Sequence, residues 1–157
     1  SIKELRMVAH NLMPESLVKF GLDTALKDFC ESITGSGALK VNYHSFGMET
    51  VSLDKNTEIT IYRIIQELVN NSIKHAKATE SIVQLEVHNN QLGITVEDDG
   101  KGFDVSLLEK VKDASTIHGI GWSNIQNRAE YLHAKLDVHS QQGKGTSVKL
   151  LMNAGKA

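Results

Sequence analysis

Glu67-Leu68-Val69-Asn70-Asn71-Ser72-Ile73-Lys74-His75 is the stretch on which the fold turns. Asparagine is a poor helix former, so two in succession inside a helical pattern need a chemical reason. Three further clusters follow in order: Asp98-Asp99-Gly100-Lys101-Gly102, Gly119-Ile120-Gly121 and Gly143-Lys144-Gly145-Thr146. A glycine pair alone is a weak sign, because glycine serves any tight turn. The order carries more: a helix bearing Glu and Asn, a strand ending in Asp, then two further glycine turns. Together they read as a pocket for a nucleotide and its magnesium ion.

The first cluster closes a helix predicted from about Asp54, a plausible N-cap, to His75. At 3.6 residues per turn, Arg63, Glu67, Asn70, Asn71, Lys74 and His75 occupy one arc. Ile61, Ile65, Leu68, Val69 and Ala76 lie on the other side. An Asn71 oxygen can complete the octahedral shell of Mg²⁺. Glu67, one turn earlier, is placed to orient or deprotonate an attacking group, and Lys74 can pair with phosphate. Strand parity supplies the facing wall. Asp98 shares the parity of Leu92, Ile94 and Val96, and Thr146 that of Val148, Leu150 and Met152. A carboxylate on the core side is costly unless it finds donors, and an adenine amino group with a water would supply them. Gly119-Ile120-Gly121 is expected just ahead of a helix, where free amides and the helix dipole favour phosphate. The loop from about Gly100 to Gly119 is long enough to be a lid over bound nucleotide.

Working outward, Leu5, Val8, Ala9 and Leu12 have helical spacing up to Pro14, which should end or kink that helix. A second helix, bent near Gly21, carries Leu22, Ala25, Leu26 and Phe29. Gly35-Ser36-Gly37 turns the chain into a strand over Leu39–Tyr43. One hairpin alternates through Val83, Leu85 and Val87, turns at Asn89-Asn90 and returns through Leu92, Ile94 and Val96. After a helix from about Gly121 to Leu132, a second hairpin pairs Leu136 and Val138 with Val148, Leu150 and Met152. The expected fold is an α/β (α+β) two-layer sandwich: a mixed, mostly antiparallel sheet of about five strands with three helices on one face.

At 157 residues the chain suits one domain. A net charge of -2 gives no reason to expect nucleic acid. The one cysteine, Cys30, fits a reducing compartment. No apolar stretch reaches the length of a membrane span, and no signal peptide opens the chain. Because the helical pattern begins abruptly after Ser1, the chain reads as a piece of a longer protein. Each feature also has a plainer reading: a solvated helix face, ordinary turns, surface or packing histidines at His44, His88, His118, His133 and His139. Lys101 and Lys144 fit phosphate contacts or exposed turn lysines, Arg128 reads as structural and Cys30 as core.

In combination, these motifs resemble the ATP-binding catalytic domain of bacterial sensor histidine kinases of the short-lid subfamily, within the gyrase, chaperone, kinase and mismatch-repair ATPase group. Glu67, Asn71, Lys74 and His75 match its N box. Asp98, Gly100 and Gly102 match the first glycine box, Gly119 and Gly121 the second, and Gly143, Gly145 and Thr146 the last. Trp122 stands where the family usually has leucine. The resemblance implies residues 1–20 as the end of a dimerisation hairpin and 21–157 as the catalytic domain. It implies ATP and Mg²⁺, with Glu67 catalytic and Asn71 the metal ligand. Asn70, Asn71, Lys74, His75, Asp98, Gly100, Gly102, Gly119, Gly121 and Thr146 would bind ATP. The γ-phosphoryl group would pass to a histidine upstream of Ser1, rather than to His10, and then to a response regulator receiver domain. The parent would be a homodimer through its upstream helices and anchored in the bacterial inner membrane through segments outside this sequence, with this domain cytoplasmic. Two other readings share the fold: a serine kinase of the anti-sigma type and a non-catalytic nucleotide sensor.

Overall fold

The computed structural model describes residues 14–108 and 117–156. The predicted helix up to Leu12, His10 with it, and part of the predicted lid lie outside the described residues. Pro14 precedes a short helix, α1 (Glu15–Phe20), and Gly21 separates it from α2 (Leu22–Ser36). The start of α2 has no side-chain cap of its own. Its Leu22 amide instead donates to Glu58 Oε2 at 2.7 Å. Lys55 pairs with the other Glu58 oxygen at 3.0 Å and donates to the Leu17 carbonyl at 3.0 Å. The orphan Leu22 amide of the α1–α2 joint is thus satisfied by the first turn of the long helix α3 (Lys55–Lys74), which also adds a second donor to the Leu17 carbonyl.

The N-cap of α3 is Asp54, whose side chain accepts from the Thr57 amide at 2.7 Å. Thr34 fastens α2 to the first strand, β1 (Lys40–Phe46): its hydroxyl accepts from the Val41 amide at 2.9 Å and donates to the Cys30 carbonyl at 2.9 Å. β1 runs past the predicted Leu39–Tyr43 because it pairs in parallel with β3 (Glu80–His88) as far as Phe46 opposite Glu86. Alternation fades over those last residues, and Phe46 is 58% exposed. A short β2 (Val51–Ser52) precedes α3.

β3 turns directly into β4 (Gln91–Asp98). Asn89 and Asn90 hold φ of 51° and 62°, the left-handed pair that a two-residue hairpin demands. α4 (Ile117–Tyr131), β5 (Lys135–Ser140) and β6 (Thr146–Asn153) follow. A final β7 (Gly155–Lys156) pairs antiparallel with β2, a small second sheet with no signal in the alternation. The large sheet has the order β1-β3-β4-β6-β5, parallel only between β1 and β3. The expected two-layer α/β sandwich is therefore the observed one. One face packs under α2, α3 and α4 into a single cluster that includes Leu26, Ile65, Leu85, Ile94, Ile125 and Leu150. The other face leaves Ile82 and Leu151 exposed.

One expectation is corrected. α4 begins at Ile117, so Gly119 and Gly121 lie within its first turns rather than ahead of it. Glycine costs a helix only about 1 kcal/mol relative to alanine, and here it has a use. A Cβ on Gly121 would stand 2.5 Å from Glu67 Oε1, so any other residue there would push the Glu67 carboxylate aside.

Cys30 is 1% exposed in the core, and burial, aided by the nearby Glu31 charge, pushes its thiol up to about 12. Because the folded value lies above the ordinary 9.0, its contribution to stability is complete below about pH 9 and falls as pH rises toward 12. Between pH 8 and 10.5, wild type should lose about 1–2 kcal/mol more stability than Cys30→Ala in urea titrations. Parallel loss in both proteins would refute this.

Candidate nucleotide site

A cavity of about 640 Å³ opens between the C-terminal half of α3 and the ends of β4 and β6. The α3 wall presents Leu68, Asn71, Ser72, Lys74 and His75. Val96 and Asp98 from β4, with Thr146 and Val148 from β6, form the floor. The remaining side carries Lys101, Gly102, Phe103, Leu107, Leu108 and Trp122. Asp98 and Thr146 stand directly opposite one another in the β4–β6 register, so the two polar strand ends share one floor.

Asp98 is half-buried and has donors within the chain. Ser72 donates its hydroxyl to Asp98 Oδ2 at 2.7 Å, and the Gly100 amide donates to Oδ1 at 2.9 Å. Ser72, 1% exposed, escaped the sequence reading, although a signal was there. It falls on the apolar side of α3, four residues after Leu68 and seven after Ile65, where a hydroxyl needs a buried acceptor. Ser140 was missed too. Its hydroxyl lies 2.8 Å from the Thr146 hydroxyl and accepts from the Phe103 amide at 2.9 Å.

These bonds lace the first glycine box to the last. The Gly143 amide donates to the Lys101 carbonyl at 2.6 Å. Gly145 holds φ of 80°, and a Cβ there would collide with the Asp98 carbonyl, so side chains are excluded by both conformation and space. Asp99 faces away from the pocket. It accepts from the Thr79 hydroxyl at 2.6 Å, the Thr79 amide at 2.8 Å and the Glu80 amide at 3.0 Å. The Thr79 hydroxyl foremost, then the two amides, hold its carboxyl below the usual range.

Glu67 and Asn71 meet α4 instead. Around the position of a Gly121 Cβ, Glu67 Oε1 lies at 2.5 Å and Asn71 Oδ1 at 3.7 Å. Two buried amide atoms here have no partner, Asn70 Oδ1 and Asn71 Nδ2. The Glu67 Oε1 and Asn71 Oδ1 oxygens near this point are the donor type a hard cation such as Mg²⁺ takes, whereas the unpartnered Asn71 Nδ2 is an N–H donor that suits an acceptor oxygen. Arg128 also belongs to this neighbourhood; burial lowers its pKa, the Arg63 charge lowers it further, and Glu67 opposes the shift.

Of the predicted site residues, Asn71, Lys74, His75, Asp98, Gly102 and Thr146 line the cavity. Gly100 joins it through its amide bond to Asp98, and Glu67 and Gly121 border Asn71. Gly119 lies in the first turn of α4. Asn70 is 6% exposed and outside the lining.

Residues 56–156 match the family described as histidine kinase-, DNA gyrase B- and HSP90-like ATPases. The chain is 32% identical over 147 residues to the sensor histidine kinase ComP of Bacillus subtilis, covering 92% of this chain and 18% of ComP. It is 32% identical over 154 residues to the sensor histidine kinase MctS of Rhizobium johnstonii, covering 97% of this chain and 32% of MctS. The chain therefore spans less than a third of either relative. Among solved structures, the histidine kinase domain of the blue-light activated histidine kinase EL346 from Erythrobacter litoralis aligns with a TM-score of 0.65 and 27% identity. That alignment covers 84% of this chain and 60% of the other.

Ser72→Ala removes one of the two donors on Asp98 and should cost about 1–3 kcal/mol of stability. A urea midpoint equal to wild type would show that the hydroxyl does not support the carboxylate.

Proposed function

We propose that this chain, which belongs to the family of histidine kinase-, DNA gyrase B- and HSP90-like ATPases, binds Mg-ATP and presents its γ-phosphoryl group to a histidine of the parent protein. The carrying observation is the meeting of Asp98 on the sheet and Asn71 on α3 in one cavity. Asp98, held by Ser72 and Gly100, accepts from the exocyclic amine of adenine, with Thr146 beside it on the floor. Lys74 supplies positive charge toward the phosphates. Asn71 would hold magnesium through its Oδ1, and the ion when bound neutralises phosphate charge. Glu67 accepts the N–H of the incoming imidazole, leaving the lone pair of the other ring nitrogen aimed at phosphorus. Such transfer depends mainly on positioning and charge neutralisation.

In this reading the phosphoryl group moves on to an aspartate of a response regulator receiver domain. Residues 1–20 are the end of a dimerisation hairpin that pairs two copies of the parent, and 21–157 form a catalytic domain working in the cytoplasm. Among the described residues no helix is long and apolar enough to cross a membrane. Glu67 beside Asn71 favours transfer over a non-catalytic sensor, and the sensor histidine kinase relatives favour histidine over serine as acceptor.

Asp98→Ala should weaken ATP roughly ten- to a hundredfold, the worth of about 1.5–3 kcal/mol for a charge-assisted hydrogen bond. Unchanged affinity by calorimetry would count against the pocket. Asn71→Ala should abolish the part of ATP affinity that a chelator removes from wild type; a wild-type affinity indifferent to chelator defeats the metal role. Glu67→Gln should bind ATP as wild type does, yet lose most phosphorylation of the histidine hairpin of the parent. Undiminished phosphorylation would remove Glu67 from the mechanism.

A further inference from the structure

Phe103 and Trp122 come from different parts of the chain and meet in the lining of the cavity. Their ring centroids lie 5.5 Å apart with planes inclined at 53°, within the range of favourable aromatic pairs. Each ring is fixed from a different side. The Phe103 amide donates to Ser140, whose hydroxyl in turn touches Thr146 on the floor. Trp122 is carried by α4, whose Gly121 lies against the Glu67 carboxylate of α3, and it packs on the edge of the core. Both rings remain partly exposed, and both line the cavity.

The rest of the cavity says what such a wall faces. Leu68, Val96 and Val148 give an apolar surface on the α3 and sheet side, and hydrogen-bonding groups gather at one edge, at Ser72, Asp98 and Thr146. A flat heteroaromatic ring with donors along one edge matches this division. We infer that Phe103 and Trp122 form an aromatic wall against the purine of the bound nucleotide, with Trp122 a base-contacting residue that sets affinity. This deepens the nucleotide reading above and rests on it. The phosphates and metal lie with Asn71 and Lys74, so the wall acts on the base and not on the charged tail.

Trp122 is the only tryptophan, so all indole emission reports this wall. ADP and adenosine should alter emission and shield the indole from acrylamide, with a midpoint equal to the Kd from calorimetry. Inorganic tripolyphosphate should bind without altering it. Trp122→Leu keeps an apolar side chain on the core edge, so its Tm should stay near wild type. Its ADP affinity should fall about tenfold while its tripolyphosphate affinity holds. Trp122→Phe should recover most of the ADP affinity. An emission response to tripolyphosphate alone, ADP heat without any emission change, or Trp122→Leu binding ADP like wild type would each overturn the aromatic wall while leaving the nucleotide reading standing. No ADP heat at all would overturn both.

Discussion

The Asp98 carboxylate, turned toward the core side of the sheet, is the constraint that arranges the site. A charged group in that position costs several kcal/mol unless donors meet it. Ser72 on α3 and the amide of Gly100 do so. One bond fixes how far α3 stands from the end of β4, and the other sets the first turn after the strand. The glycine-rich turns follow from the same crowding. Backbone from Gly145 passes against the Asp98 carbonyl, and Gly143 is tied to Lys101, so the turns at the two strand ends are shaped together.

α3 serves two ends at once. Its apolar side, with Ile61, Ile65 and Leu68 all nearly sealed from solvent, anchors the core. Its first turn satisfies the α1–α2 joint through Glu58 and Lys55, and its last two turns carry Asn71, Ser72 and Lys74 to the cavity. The unpartnered amide atoms of Asn70 and Asn71 lie on this rigid rod. Buried polar atoms without partners destabilise a fold by about 1–3 kcal/mol each. A helix held at both ends and along one side can bear that cost.

Local chemistry made much of this legible. The Asp54 cap, the Asn89-Asn90 turn and the inward parity of Asp98 and Thr146 each depend on near neighbours, and each is found where expected. Pairings between distant segments were not legible. Neither Ser72 with Asp98 nor Ser140 with Phe103 can be read from spacing, because the partners lie 26 and 37 residues apart. The start of α4 was misplaced because glycine usually ends a helix; at Gly121 it serves contact with Glu67 instead. The β2–β7 pair is only two residues long on each side, too short for alternation to reveal.

The position of β6 bears on synthesis at the ribosome. Among the strands of the large sheet it is made after all the others, yet it lies between β4 and β5 and, among the described residues, is the sole partner of β5. Until β6 emerges from the exit tunnel, β4 presents an open edge and β5 has nothing to pair with. Thr146, its first residue, arrives with it. The nascent chain can therefore assemble α2, α3 and three strands early, but its nucleotide floor is finished only as β6 slots into the gap. Half-made copies have no complete binding floor, and their unpaired edge is the kind of surface that chaperones cover.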